Sequence, residues 1–251
     1  MTVPSGQPLG GEIAFVTGGG AGIGAACATE LARRGAKVLV TDIDEAAAGA
    51  VADAIGANAV GRGLDVRDPS AVDAAVAEAV ERFGGLTVAV NNAGVGVPVP
   101  RRTGEVPDEE WRRVLSVNLD GVFHCLRAEL AVMAQAGRGS VVNMGSVGSL
   151  VGLAGAVTYT AAKHAVLGMT KAAAVEYAPD GVRVNAVTPG YVDTAISPRT
   201  PEQKAALAAR HPIGRLADAE EIARVVCFLA SEEASFVTGA HYTVDGGFTA
   251  V

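Results

Sequence analysis

The feature that most constrains this chain is an alternation, kept from end to end, of short apolar extended runs and Ala-rich helical runs. Ile13–Thr17, Lys37–Thr41, Ala59–Leu64, Leu86–Val90, Ser140–Met144, Val182–Val187 and His241–Val244 read as strands. Ile23–Arg34, Asp44–Ile55, Pro69–Phe83, Asp108–Val117, Leu119–Gln135, Val157–Ala178 and Asp218–Ala230 read as helices. Strands that are apolar throughout belong to a parallel sheet with helices on both faces. The predicted fold class is therefore α/β, a doubly wound parallel sheet of seven strands. Asp68 ahead of Pro69 predicts a capped helix start, and Gly35 a helix stop. The patternless stretch Thr188–Arg215 is long for a connection, and such loops are usually functional. No break in composition divides the chain, so it reads as one domain over 11–251 behind a loose leader, Met1–Gly10.

Composition narrows the function classes. Hydrophobic residues are 49% and charged residues 19%, which argues against disorder. Formal net charge is −7 and no basic run occurs; Arg33-Arg34 and Arg101-Arg102 are isolated pairs. Nucleic acid and anionic membrane need a clustered positive face, so neither is an expected partner. No run approaches the length of a membrane span, and the N-terminus has no signal-peptide pattern. Cys27, Cys125 and Cys227 are odd in number, widely spaced and set among apolar neighbours, which predicts buried thiols and a cytoplasmic location. His124 lies within an apolar helix, no metal-ligand spacing occurs, and no metal is expected.

The first strand runs into Thr17-Gly18-Gly19-Gly20-Ala21-Gly22-Ile23-Gly24 and then a helix. Glycine lets backbone approach a pyrophosphate, and a helix N-terminus offers unpaired N–H groups and a positive dipole end. Ala25 stands where a P-loop needs Lys. The alternative is a Gly-rich turn without a ligand. Against it stands Asp42, ending the next strand 18 residues after Gly24. A carboxylate there accepts the hydroxyls of an adenosine ribose and repels a 2′-phosphate. With Asp44 and Glu45 beside it and no Arg or Lys between Val38 and Gly61, the expected cofactor is NAD rather than NADP. Taken alone, Asp42 is equally a helix cap or a solvated turn residue.

Tyr159-Thr160-Ala161-Ala162-Lys163 places a phenol and an ammonium on one helix face. The spacing predicts that Lys163 lowers the Tyr159 pKa toward neutrality, making it a general acid/base for an alcohol/ketone pair. Ser146, 13 positions earlier, ends a strand at the sheet edge where ligands bind, and its hydroxyl suits the substrate oxygen. The plainer reading is a strand-ending Ser. A hydrolase elbow would need Gly where Met144 stands.

Together, Thr17-Gly18-x-x-x-Gly22-x-Gly24, Asn91-Asn92-Ala93-Gly94, Ser146 and Tyr159-x-x-x-Lys163 resemble the short-chain dehydrogenase/reductase family, in its subgroup of about this chain's 251 residues. Pro189-Gly190, Pro212-Ile213-Gly214-Arg215 and Asp245-Gly246-Gly247 extend the resemblance from about Gly11 to Gly247. Gly145 stands where a second Ser is common. The resemblance implies a Rossmann-type sheet in the order 3-2-1-4-5-6-7 and a homotetramer. It implies a catalytic set of Asn118, Ser146, Tyr159 and Lys163, with Asn118 in a proton relay and Lys163 also on the nicotinamide ribose. It places Gly18, Gly22, Ile23 and Gly24 on the pyrophosphate and Asp65 and Val66 at the adenine. Asn92, Ala93, Gly94, Pro189, Gly190, Val192 and Thr194 line the rest of the cofactor, Thr194 at the carboxamide.

Val147–Val157 is almost wholly apolar, and Tyr191 and Ile196 open the patternless stretch. With Ser146 and Tyr159, the residues Gly148, Leu153 and Tyr191 are candidate substrate contacts. The pocket they suggest takes a small apolar, alicyclic or aromatic secondary alcohol or its ketone. Arg199, Lys204 and Arg210 keep an acyl-carrier thioester open as substrate. The same cofactor-binding pattern also admits a non-catalytic NAD-binding sensor and a sugar-nucleotide epimerase or dehydratase. An epimerase or dehydratase of that kind needs more than the 61 residues that follow Gly190.

Overall fold

A computed structural model describes residues 8–194 and 200–251. Seven strands, β1 (Ile13–Thr17), β2 (Lys37–Asp42), β3 (Ala59–Gly63), β4 (Val88–Asn91), β5 (Gly139–Met144), β6 (Val182–Pro189) and β7 (His241–Val244), form one sheet in the order β3-β2-β1-β4-β5-β6-β7. Every pairing is parallel. The helices are α1 (Gly22–Arg33), α2 (Glu45–Ile55), α3 (Pro69–Phe83), α4 (Asp108–Leu115), α5 (Val122–Ala136), α6 (Val157–Tyr177), α7 (Pro201–Ala208) and α8 (Ala219–Ala230).

The strands are apolar throughout because both sheet faces are buried. In β1, Ala14 and Val16 join the core under α1 and α8, while Phe15 points to the opposite core under α3, α5 and α6. Val38 and Val40 separate from Leu39 in the same way along β2. A period-2 strand splits its side chains between faces, so only a doubly covered sheet hides all of them. The three cysteines are buried in these cores. A polar seam crosses the second core: buried Asn91 donates to Glu129 (2.9 Å) and to Asn143 (3.0 Å), and Asn143 donates to Thr170 (2.9 Å). Burial pushes the Glu129 carboxyl up to about 8, partly countered by Asn91.

Three details differ from the sequence expectation. Leu9, assigned to the loose leader, is buried, and its N–H donates to the Arg34 carbonyl at 3.0 Å, so the ordered domain begins before Gly11. The helices expected to part at Asn118 run on into each other through a π turn, Ser116–Gly121. Such turns concentrate at functional sites. The patternless stretch contains α7, started by Thr200, which accepts from the Gln203 N–H while Gln203 accepts from the Thr200 N–H. Ile196 and Arg199 lie outside the described residues.

Candidate active site

The sheet order reverses between β1 and β4, and a cleft of about 960 Å³ opens at the carboxyl ends of the strands there. At one end stands the glycine turn. A side chain on Gly24 would meet the Gly18 carbonyl oxygen at 2.0 Å, and one on Gly18 would meet the Ala93 backbone at 2.9 Å. Gly18 and Gly22 also take positive φ, which side chains disfavour. Helix α1 begins without a side-chain cap and without an acidic residue in its first turn. Its first N–H groups therefore remain for a ligand, and the fit to a pyrophosphate is direct. Asn92 holds the turn, donating to the Thr17 carbonyl (3.1 Å) and the Gly18 carbonyl (3.0 Å). Thr17 answers by accepting the Asn92 and Ala93 N–H groups, both at 3.1 Å. Asp42 accepts from the Gly20 N–H at 3.0 Å and the Asp44 N–H at 3.1 Å, which fixes its carboxylate at the rim of the same cleft. The cap of α2 is Asp44.

Ser146, Tyr159 and Lys163 stand at the other end. Ser146 follows β5; its hydroxyl accepts the Gly148 N–H at 3.1 Å, and Ser149 accepts the Ser146 N–H at 3.1 Å. Helix α6 carries both Tyr159 and Lys163, and the Lys163 Nζ lies 5.8 Å from the centre of the Tyr159 ring. Lys163 is buried and donates to the Met144 carbonyl at 2.7 Å, and burial lowers its pKa to about 8. Asn118, fully buried in the π turn, accepts the Val95 N–H (2.7 Å) and donates to the Val95 carbonyl (2.8 Å). Val95 lines the cleft, so Asn118 braces the cleft wall.

A family model described as enoyl-(acyl carrier protein) reductase matches residues 18–249. The chain belongs to the short-chain dehydrogenase/reductase family. It is 45% identical to a cyclohexanol dehydrogenase of Acinetobacter sp. (strain SE19), over 95% of each chain. It is 46% identical to a cis-4-hydroxycyclohexanecarboxylate dehydrogenase of Sinomonas cyclohexanicum, over 98% of this chain and 100% of that one. The crystal structure of gox2181 superposes with a TM-score of 0.93 at 34% identity, covering 98% of this chain and 99% of that one. Short-chain dehydrogenases use nicotinamide cofactors, and the glycine cradle described above accommodates one.

Within this short-chain dehydrogenase most of the expected residues gather at one cleft; Gly22 lines a second pocket, which shares Thr194 with it. Gly18, Ile23, Asp42, Asp65, Val66, Asn92, Ala93 and Gly94 line one end, and Pro189, Gly190, Val192 and Thr194 the wall leading to the other. Ser146, Leu153, Tyr159 and Tyr191 line that other end. Gly148 sits behind them, where a side chain would meet Leu153 at 3.0 Å and Tyr159 at 3.4 Å. One expectation is corrected. Tyr159 is not lowered by Lys163 in this structure: burial raises its pKa, the Ser146 hydrogen bond lowers it in part, and Tyr191 raises it again. Lys163 is turned to the Met144 carbonyl and is itself depressed by burial, so its charge does not dominate the phenol. Asp65 is gripped by Arg67 through three side-chain contacts at 2.6–3.0 Å, which holds its carboxyl below the usual range. His124, expected as a packed residue, faces the Val66 carbonyl at 2.9 Å. Sequence reasoning missed Ile43, Val97, Pro100 and Arg113, which also line the cleft. They carry no motif. For Ile43, Val97 and Pro100 the only signal is proximity in sequence to Asp42 or Gly94, at the strand ends where ligands bind; Arg113, on α4, has no such signal.

Proposed function

We propose that this chain interconverts a small alicyclic secondary alcohol and its ketone, with NAD as the hydride partner and Tyr159 as general acid/base. The reading rests on one cleft with a phosphate-receiving glycine turn at one end and Ser146, Tyr159 and Lys163 at the other. The two relatives named for cyclohexane-ring alcohols support the substrate class. So do the apolar walls Val95, Val97, Leu153 and Ala154, which suit ring carbons. Asp42 supports NAD, because a 2′-phosphate beside its carboxylate meets like charge. Arg67, which also lines that end, is already spent on Asp65.

Gly18, Gly22, Ile23 and Gly24 receive the pyrophosphate; Asp65 and Val66 flank the adenine. Lys163 holds the nicotinamide ribose, and Thr194 the carboxamide. The bound nicotinamide supplies the two-electron acceptor that these side chains lack. Ser146 donates a hydrogen bond to the substrate oxygen, and Tyr159 exchanges a proton with that same oxygen. Burial keeps the phenol protonated across neutral pH, which suits proton donation to a ketone. Alcohol oxidation needs the phenolate, so its rate climbs as pH rises toward the phenol's titration. In assembly, the homotetramer implied by the resemblance has exposed Phe123 and Val175 on α5 and α6 available to an interface.

A reading as an acyl-thioester reductase draws on the description of the matching family model. Against it, two of its candidate cations are engaged within the chain: Lys204 pairs with Asp193 at 2.8 Å, and Arg210 lies over Tyr191 and Phe248. The test is initial rate, followed by reduced-nicotinamide absorbance, for cyclohexanol, cyclohexanone and acetoacetyl thioesters with NAD and with NADP. Cyclohexanol turnover with NAD, reduced at least about 100-fold by Tyr159→Phe, is expected. Preference for NADP removes the Asp42 argument. Turnover of the thioester alone replaces the substrate class, and no turnover on any substrate despite NAD binding favours a sensor.

A further inference from the structure

We propose that His211, outside the pocket, is a positioning residue for substrate selection: it ties Tyr191, a wall of the alcohol site, to the C-terminal segment 245–249. The proposal deepens the function above and rests on Tyr191 as a substrate wall. That placement has two supports. Tyr191 lines the same cleft as Ser146 and Tyr159, and it follows Pro189 and Gly190, which line it too.

His211 is buried, at 4% exposure, in the turn after α7. Its Nδ1 faces the Leu207 carbonyl at 2.9 Å, and its Nε2 faces the Tyr191 N–H at 3.1 Å. A carbonyl only accepts and an amide N–H only donates, so the ring is the neutral tautomer with the proton on Nδ1. The imidazole is thereby a bridge that fits in one orientation. The backbone passes it closely: a side chain on Gly190 would meet His211 Nε2 at 2.8 Å and the Asp245 backbone at 2.9 Å. Pro189-Gly190 is therefore followed by a residue whose direction is set by His211.

The rings of Tyr191, His211 and Phe248 form a triangle. Tyr191 meets His211 edge-on, with centroids 5.8 Å apart, and meets Phe248 likewise at 5.8 Å; His211 and Phe248 are 5.4 Å apart. The Arg210 guanidinium lies 4.7 Å from the Phe248 centroid and 5.5 Å from that of Tyr191, and it donates to the Tyr191 hydroxyl at 3.2 Å. The C-terminal segment that supplies Phe248 is fixed in turn. Asp245 accepts the Gly247 N–H (2.9 Å), the Thr249 N–H (2.8 Å) and the Thr249 hydroxyl (2.6 Å), and the Ile213 N–H donates to the Gly246 carbonyl at 3.1 Å. The segments Pro212-Ile213-Gly214 and Asp245-Gly246-Gly247, which do not line the cleft themselves, thus acquire a role. They hold one aromatic wall in place from behind.

The geometry makes the wall adjustable at a distance. A variant at His211 or Phe248 changes what the pocket accepts without touching the reacting atoms. The test compares His211→Leu, which removes the bridge, with His211→Gln, whose amide oxygen can accept the Tyr191 N–H at the Nε2 place. His211→Leu is expected to raise the cyclohexanol KM about tenfold, roughly the worth of one hydrogen bond, while the NAD KM changes less than about twofold. His211→Gln is expected to restore most of the loss. Phe248→Leu, at a partly exposed position, is expected to move the same KM in the same direction and serves if His211→Leu does not fold. Equal rises in both KM values, or no rise in either, overturn the clamp. Crystal structures of the parent and of a folded variant, His211→Leu or Phe248→Leu, give a readout that needs no turnover. The Tyr191 ring leaving its triangle supports the proposal, and an unmoved ring overturns it even if the substrate class above proves wrong.

Discussion

The two ends of the cleft are built differently. The proposed cofactor end is assembled around backbone: Gly18 and Gly24 allow close approaches that no side chain could share, and the Asn92 amide and Thr17 hydroxyl pin the main chain around them. The substrate end is assembled from side chains on segments far apart in sequence, Val95–Pro100, Val147–Ala156, Tyr191 and, behind it, His211 and Phe248. Backbone geometry tolerates almost no substitution, whereas a wall of side chains can be resized one residue at a time. One scaffold can therefore keep its cofactor and change its substrate.

The junction between the two ends gives the largest expected effect. Lys163→Met is expected to lower kcat about 100-fold or more, yet not to destabilise the fold at neutral pH. Burial depresses the Lys163 pKa from 10.5 to about 8, so below pH 8 the folded chain carries a buried ammonium. The sign follows: this is a destabilisation fully present below about pH 8, relieved as pH rises toward 10.5, and of order 3 kcal/mol before the lost bond to Met144 is counted. Thermal unfolding across that window checks it. The parent should gain stability relative to Lys163→Met as pH rises, and a constant gap would remove the argument.

A smaller effect sharpens the backbone half of the comparison. Gly24→Ala puts a methyl where the Gly18 carbonyl stands, and the expected result is at least a tenfold weaker NAD Kd by titration calorimetry. At saturating NAD the cyclohexanol KM should stay near the parent value. If the alcohol KM moves as much as the NAD Kd, the two ends are not independent. The smallest effect tests the side-chain half. Leu153→Ala is expected to raise the cyclohexanol KM about fivefold and to favour bulkier rings, with the NAD Kd unchanged. Loss of NAD binding in that variant would break the comparison from the other side.

Much of the cofactor end was legible because its signals are local. A strand, a run of glycines and a helix lie within Ile13–Arg33, and Asp42 ends the adjacent strand. The periodicity that buries Phe15 on one face and Val16 on the other also gave the sheet class. Helix ends were equally readable where the cap is a neighbour in sequence, as Asp68 is to Ser70 and Ala71. The Tyr159 pKa was not legible. Spacing put Lys163 on the same face, but the sign depends on burial and on where the ammonium turns, and Met144, on another strand, decides that.

What the sequence by itself determined is the order of strands and helices, the glycine turn, and the helix spacing that sets Tyr159 and Lys163 together, with Ser146 in the same cleft. Each follows from side-chain period, backbone freedom or helix spacing, all set within a few residues. Only the tertiary structure decided that Asn118 spends its amide on Val95, that Asp65 is held by Arg67, and that His211 and Phe248 back Tyr191. The last of these joins residues 191, 211 and 248, far apart in the chain. Contacts across such separations have no period to read; they exist because the sheet brings β6 and β7 side by side and sets their following loops against each other.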